Sequence, residues 1–335
     1  MKLTGRIFLF FLFSVLIVSC TNPPTELQKA EQLIENKPDL ALLLLKNLSP
    51  TKYKYDESKA LYGLLMTEAL DRLKLPLKPD SLLDFSLNYY EKHPDPVRLA
   101  NCYLYKGRKY KYNFQNDKAI SYYMKAMDEL KNSTDATIMG RINFDLGDIL
   151  NLQGEFKSAR DKYQLAYHYF NVQGLQTQAF YALLNIGRTY HAAREYKKAR
   201  LFYAQIHCKA KDSILQGALY QEIGLNFYSS HQPDSAEKYL KKVLNYPYIS
   251  NNRAIRYYLL ASLCFDNGRI DSAFMLASQS FRYNPDIRQR EWYRIMANCK
   301  FAQGVVKQVP YYMSNYVRLG DSLRKIDAQP KANYI

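Results

Sequence analysis

Residues 146–166 read LGDILNLQGEFKSARDKYQLA. Gly147 is followed three positions on by Leu150, nine further by Ala159, and four further by Tyr163. The same spacing recurs as Gly107, Tyr110, Ala119, Tyr123, then as Gly187, Tyr190, Ala199, Tyr203 and as Gly224, Phe227, Ala236, Leu240. Ala261, Cys264, Ala273 and Ala277 continue it. Successive small residues stand 40, 40, 37 and 37 positions apart, and a further 36 leads to Ala297. Self-similarity at a period of about 20 to 50 residues marks a stacked array in which each unit buries its apolar face against its neighbours.

Inside each unit the apolar positions recur at helical spacing, and no stretch alternates apolar and polar residues long enough to make a strand. Asn36-Lys37-Pro38-Asp39, Gln153-Gly154, Gln232-Pro233-Asp234 and Asn267-Gly268 read as the turns joining paired helices. The fold class is therefore all-α. With Gly147 taken as position 8 of its unit, Leu146, Leu150, Gly154, Ala159, Tyr163 and Ala166 occupy positions 7, 11, 15, 20, 24 and 27. That arrangement resembles the tetratricopeptide repeat family, here in the long-period form met in bacterial regulators and envelope proteins. The resemblance implies a right-handed superhelical solenoid of about eight helix pairs, the family's usual period being about 34 residues. A small residue at positions 8 and 20 lets two helix backbones approach, with bulky side chains interdigitating around the contact. Many of the 31 tyrosines fall on such packing positions.

At the N-terminus, Lys2 and Arg6 precede an apolar run from Ile7 through Val18, too short to span about 30 Å of hydrocarbon and suited to an export signal. It ends in Ile17, Val18, Ser19, Cys20, which resembles a bacterial lipobox and implies lipidation at Cys20. The expected organisation is a signal peptide over 1–19 and a lipidated cysteine with a tether over 20–25. Degenerate repeats follow over 26–96, regular repeats over 97–285, and a capping repeat with tail over 286–335. Thr21 after the cysteine points to the outer membrane, facing the periplasm.

Nothing in the sequence carries a catalytic pattern. The histidines His93, His168, His191, His207 and His231 are scattered, the glycines form no phosphate loop, and no GxSxG elbow occurs. Cys102, Cys208, Cys264 and Cys299 show neither CxxC pairing nor metal spacing, so no metal, no cofactor and no enzymatic activity are expected. Cys264 and Cys299 fall on adjacent repeats, as buried small residues or as a disulfide. The formal charge of +16 would suit nucleic acid in a cytoplasmic protein. Export and the lack of any base-reading motif argue against that partner. Lys197, Lys198, Arg200, Lys238, Lys241 and Lys242 lie on second helices, as a solvated face or as a contact for an anionic envelope component.

By the family resemblance, positions 2, 5, 6, 9, 12 and 13 of each first helix line a concave groove. The candidate peptide groove is then Tyr105, Arg108, Lys111, Arg141, Asp145, Asp148, Asn151, Asn185, Arg188, His191 and Gln221. Asn185 and Arg188 match part of the family's carboxylate-gripping pattern. Asp145 and Asp148 interrupt it, and Leu104 and Phe144 replace its lysine, so no such clamp is expected. Ile255, Tyr258, Leu259, Phe265, Ile295 and Phe301 would make an exposed apolar interface in the later repeats, for a partner helix or for the segment from Met313 to Leu323. The expected function is a membrane-anchored scaffold holding a protein or peptide partner. The alternative is a sensor related to membrane-bound transcriptional regulators, but the sequence to Ile335 shows no output segment.

Overall fold

The computed structural model describes residues 24–49, 53, 55–77, 80–131, 136–246, 252–283 and 289–327. Cys20 and the export signal lie outside the described residues. Among the described residues the regular elements are sixteen α-helices and two 3₁₀ turns, His207–Lys209 and Val306–Gln308. None of these helices is long and apolar enough to cross a membrane. The chain forms two compact units that divide between His93 and Pro94.

In the first unit, α1 (Thr25–Leu33) pairs with α2 (Pro38–Lys46), and α3 (Asp56–Arg72) with α4 (Asp80–Lys92). Pro38 opens α2, where its fixed φ suits the first turn and its missing N–H costs nothing. Leu27, Ala30, Leu45, Leu61, Leu65 and Ala69 form the core. At Gly63 a Cβ would lie 2.6 Å from both the Leu82 carbonyl oxygen and Ser86 Oγ, so α3 and α4 touch there almost backbone to backbone. The Ser86 hydroxyl seals that contact by donating to the Ala60 carbonyl at 2.7 Å.

The second unit stacks six hairpins: α5 (Pro96–Tyr112) with α6 (Asn116–Glu129), α7 (Ala136–Gln153) with α8 (Phe156–Val172), α9 (Gln176–Ala192) with α10 (Tyr196–Ile206), α11 (Ser213–Ser229) with α12 (Pro233–Val243), α13 (Asn252–Asp266) with α14 (Ile270–Tyr283), and α15 (Gln289–Ala302) with α16 (Val309–Asp327). The period shortens after Gly187 because α10 runs 11 residues where α8 runs 17. Along the row each first helix also packs on the next first helix, α5 on α7, α7 on α9, and so to α15.

Three repeating devices hold this unit together. At position 8, glycine makes room for the position-24 ring: a Cβ on Gly147 would lie 2.7 Å from Tyr163 Cε1, and Gly107 and Gly187 receive Tyr123 and Tyr203 in the same way. Each hairpin turns through one left-handed residue, Phe114, Gly154, Arg194, His231, Gly268 or Gly304, with φ between 57° and 84°. The next N–H then bonds five residues back, as Gln115 does to Tyr110 and Glu155 to Leu150, both at 2.9 Å, which satisfies carbonyls at the helix end. Between neighbouring hairpins, the position-21 residue reaches the position-11 residue of the next repeat. Arg160 stacks over Tyr190 at 4.4 Å and Arg200 over Phe227 at 5.0 Å, and in the last repeat the roles reverse, with Lys300 over Phe274 at 4.2 Å.

Candidate functional site

The first helices bring a continuous chain of polar side chains onto one shared face. From α5, Arg108 Nε donates to Asp145 Oδ2 at 2.7 Å, and Lys111 Nζ donates to Asp145 Oδ1 at 2.5 Å and to Asp148 Oδ2 at 2.7 Å. From α9, Asn185 Nδ2 approaches Asp148 Oδ1 at 3.5 Å, and Arg188 Nη1 donates to Asn185 Oδ1 at 2.8 Å. Arg188 Nη2 then donates to Glu222 Oε1 of α11 at 2.7 Å. Four consecutive hairpins are thus cross-linked through side chains separated by 34 to 37 residues, one repeat length.

The charges in this chain are settled by one another. Burial alone would raise the Asp145 pKa, but Arg108 and Lys111 outweigh it and hold the carboxyl below its ordinary value. Burial likewise pushes Lys111 down, and Asp145 with Asp148 more than reverses it, so the ammonium is held charged. Arg188 is raised above its ordinary value by Glu222, which outweighs the partial desolvation of the guanidinium. His191 is lowered by burial, with Glu222 opposing, and its Nδ1 lies 3.5 Å from Asn226 Nδ2. A buried charge cluster of this kind stands only while each member keeps its partner.

Tyr163 joins the face from behind. Its ring slides under Gly147 and its hydroxyl emerges beside the next residue, donating to Asp148 Oδ1 at 2.8 Å. Burial and the Asp148 carboxylate together raise the phenol far above its usual pKa. Gly147 therefore serves as packing and also as a window through which the Tyr163 hydroxyl reaches the first-helix face. One turn beyond Asp148 on the same side of α7, Leu152 is 70% exposed, and Tyr112 occupies the matching position of α5 at 54%. The polar chain is thus flanked by two exposed apolar side chains.

Of the residues read from sequence, Arg108, Lys111, Asp145, Asp148, Asn185 and Arg188 come together directly. Arg141 Nη1 reaches the Tyr105 hydroxyl at 3.5 Å, and Asn151 is half-buried on α7. Tyr105, Asp145, Asn185 and Gln221 are buried rather than open to a groove. Gln221 accepts from the buried Arg256 at 3.1 Å, whose guanidinium also caps the Val243 and Tyr246 carbonyls after α12. Glu222 was missed although it falls at position 6 of its repeat, and Tyr163 was missed because its position marks it as core.

The exposed apolar interface expected in the later repeats is corrected by the structure. Tyr258, Leu259 and Ile295 are buried in the core between α13 and α15, with Ile255 and Phe265 packed against it. Phe301 alone of the six remains exposed, at 69%. The neighbouring first helix covers these positions where the residues are apolar, just as it pairs with them where they are charged. Cys264 and Cys299 are free thiols in that same core, and burial raises Cys299 to about 11.

Of the basic second-helix residues, Lys198 pairs with Glu195 at 3.2 Å and Lys241 with Glu237 at 2.7 Å, Lys242 lies over the Tyr220 ring at 4.0 Å, and Arg200 donates to Asn226 at 2.8 Å. All five lysines, Lys197, Lys198, Lys238, Lys241 and Lys242, are exposed. Among the described residues no group of His, Cys, Asp and Glu is placed to hold a metal ion.

Comparison with known proteins bears on the fold. No family model matches the sequence. The transcriptional activator NprA of Geobacillus stearothermophilus is 27% identical over 114 residues, 34% of this chain and only 28% of that protein's length. Among solved structures, Rap complexed with competence and sporulation factor is 14% identical and aligns over 90% of this chain and 98% of its own, with a TM-score of 0.59. NprR with its cognate peptide NprX is also 14% identical and aligns over 91% and 94%, with a TM-score of 0.59, and apo RapI reaches 0.60 at 12% identity. The chain has the tetratricopeptide-like helical repeat fold. Within these tetratricopeptide-like repeats, the face that carries the polar chain is built by the first helix of each pair.

Proposed function

We propose that the chain is a non-enzymatic scaffold that binds an extended peptide or protein segment along the first-helix face of its second unit. The observation that carries this reading is the polar chain from Arg108 to Glu222, flanked by exposed Tyr112 and Leu152. Mutually paired, partly buried charges give the face a fixed shape, and the apolar pair offers area to bury. In support, the similar folds of NprR and Rap hold the peptide NprX and competence and sporulation factor. Export and lipid anchoring at Cys20, with the repeats displayed from the outer membrane into the periplasm, complete the proposal and rest on the sequence from Lys2 to Cys20.

Selection of a random peptide library on the immobilised chain tests the binding reading. A recurring peptide consensus is expected, lost from a variant with Tyr112→Glu and Leu152→Glu at unchanged helical content. Retention unaffected by that pair would remove the proposed face. For the anchor, metabolic labelling with an alkyne fatty acid should mark the wild type and not Cys20→Ser, and equal labelling would end that part. A second reading, a peptide-responsive signalling protein, is favoured by the stretch shared with NprA. In that case peptide binding should alter the association of the chain with a regulatory partner.

A further inference from the structure

Within the second unit, each hairpin hides its forward side under the first helix of the next. Tyr163, at position 24, shares a buried core with Leu183 and Leu184 of α9, and Trp292 of α15 donates its indole N–H to the position-24 carbonyl of Ala277 at 2.8 Å. The position-24 side chains Tyr123, Tyr163, Tyr203, Leu240 and Ala277 are at most 2% exposed. On α16, the last helix among the described residues, position 24 is Met313, and it is 39% exposed. Val306, Pro310 and Val317 are exposed with it, and the four residues stand four, three and four positions apart, the spacing of one helix face. Pro310 takes position 21, from which Arg160 and Arg200 reach forward in earlier hairpins. Phe301 of α15 extends the same side: its position-12 counterparts His191 and Tyr228 meet Asn226 and Asp266 of the following first helices, and Phe301 is exposed.

A terminal repeat in a stacked array ordinarily turns a polar face to water. Here the forward side carries an apolar strip, and contiguous exposed apolar surface marks an interface. What covers the equivalent strip of every earlier hairpin in the unit is a helix. The surroundings are basic, with seven lysines and arginines against two aspartates from Trp292 to Ile335. Lys307 is exposed beside Val306, and Arg318, exposed beside Val317, donates to Asn315 Oδ1 at 3.1 Å. Two copies of the chain meeting end to end would bring like charges together, whereas an acidic partner would match them. We propose that the forward side of the last hairpin docks an acidic amphipathic helix of another protein. That helix lies along the strip as a next first helix would, its apolar face on Phe301, Met313 and Val317 and its carboxylates beside Lys307 and Arg318. The surface is separate from the polar chain between Arg108 and Glu222 and does not depend on what binds there.

The test uses the full chain and two synthetic amphipathic helices of about 18 residues, some five turns, with one leucine face in common and glutamate flanks in one, lysine flanks in the other. By fluorescence anisotropy the glutamate helix should bind about tenfold more tightly than the lysine helix, and the preference should fade at high salt. Phe301→Glu with Val317→Glu, both at exposed positions, should weaken the glutamate helix at least about tenfold with the melting temperature unchanged. Lys307→Glu should narrow the preference between the two helices, and Tyr112→Glu with Leu152→Glu should alter neither affinity. Equal affinity for both helices, binding of neither, or binding lost in the Tyr112 and Leu152 variant but kept in the Phe301 and Val317 variant would overturn the inference and leave the peptide face to its own test. Light scattering that revealed a dimer broken by Phe301→Glu with Val317→Glu would give the side to a second copy. Binding gained only on removal of residues 328–335 would give it to the chain's own tail, and either result would equally overturn the inference.

Discussion

Replacing Gly147 with alanine probes the device on which the second unit is built. The added Cβ would lie 2.7, 2.8 and 3.0 Å from Cε1, Cδ1 and Cζ of Tyr163, where carbon atoms prefer about 3.5 to 4.0 Å. The ring must withdraw by nearly an ångström, and overpacking of this sort costs about 1 to 3 kcal/mol. Withdrawal also pulls the hydroxyl off Asp148, a bond to a charged group worth about 1.5 to 3 kcal/mol. Against this, alanine in a helix gains about 0.8 to 1 kcal/mol over glycine. The net cost is roughly 1.5 to 5 kcal/mol, and in a unit of this size each kcal/mol lowers the melting temperature by about 2 to 4 °C. Ala261 opposite Ala277 is the protein's own solution with a small residue on each side. Gly147→Ala and Tyr163→Ala combined should therefore be less damaging than the two single changes summed, by about 1 to 2 kcal/mol in a double-mutant cycle followed by thermal and urea unfolding. A neutral or stabilised Gly147→Ala in the wild-type background, or strict additivity, would refute the reasoning.

Other consequences are equally direct. Asp145→Asn should destabilise the second unit at neutral pH by about 3 kcal/mol, because it removes the carboxylate that Arg108 and Lys111 share and leaves Lys111 on Asp148. Since the folded Asp145 pKa lies below its unfolded value, its contribution is complete above about pH 4 and is lost as pH falls through the folded value. The stability gap between wild type and variant in denaturant melts should therefore be smaller at pH 3 than at pH 7. Tyr163→Phe should cost about 1.5 to 3 kcal/mol while Tyr203→Phe is near neutral, since only the first hydroxyl has a partner. Phe114→Gly, Arg194→Gly and His231→Gly should each raise stability by about 0.5 to 1 kcal/mol, the left-handed penalty of an L-residue exceeding the extra chain entropy of glycine. A fall in melting temperature would show that the side chain at that turn contributes more than the backbone cost.

How far the fold was legible follows from which residues carry it. Gly147, Ala159 and Tyr163 announce the repeat because close approach of two helices tolerates few residue types. Gly154 and Gly268 mark their turns for a different reason, a φ of 84° and 72° that L side chains rarely adopt. The turns at Phe114, Arg194 and His231 gave no such signal: there the backbone is held by the bonds of the helix end, and the residue accepts the strain. The register also located the first-helix face, but it does not say what lies over that face. Arg108, Lys111 and Asp145 could be read as facing solvent, whereas each meets a partner one repeat away. The same blindness turned Tyr258, Leu259 and Ile295 into an apparent exposed patch. Contacts at a separation of a whole repeat are set by how closely the hairpins stack, and no local spacing encodes that distance.

Site-specific photocrosslinking in intact cells tests the peptide face most directly. A photoreactive residue replaces Leu152 on the first-helix face or, in a separate variant, Leu201 on α10, 67% exposed on a second helix. The account expects a recurrent peptide adduct, mapped by mass spectrometry, at position 152 and none at position 201. Adducts at 201 alone, the same adducts at both positions, or no adduct at either would contradict it.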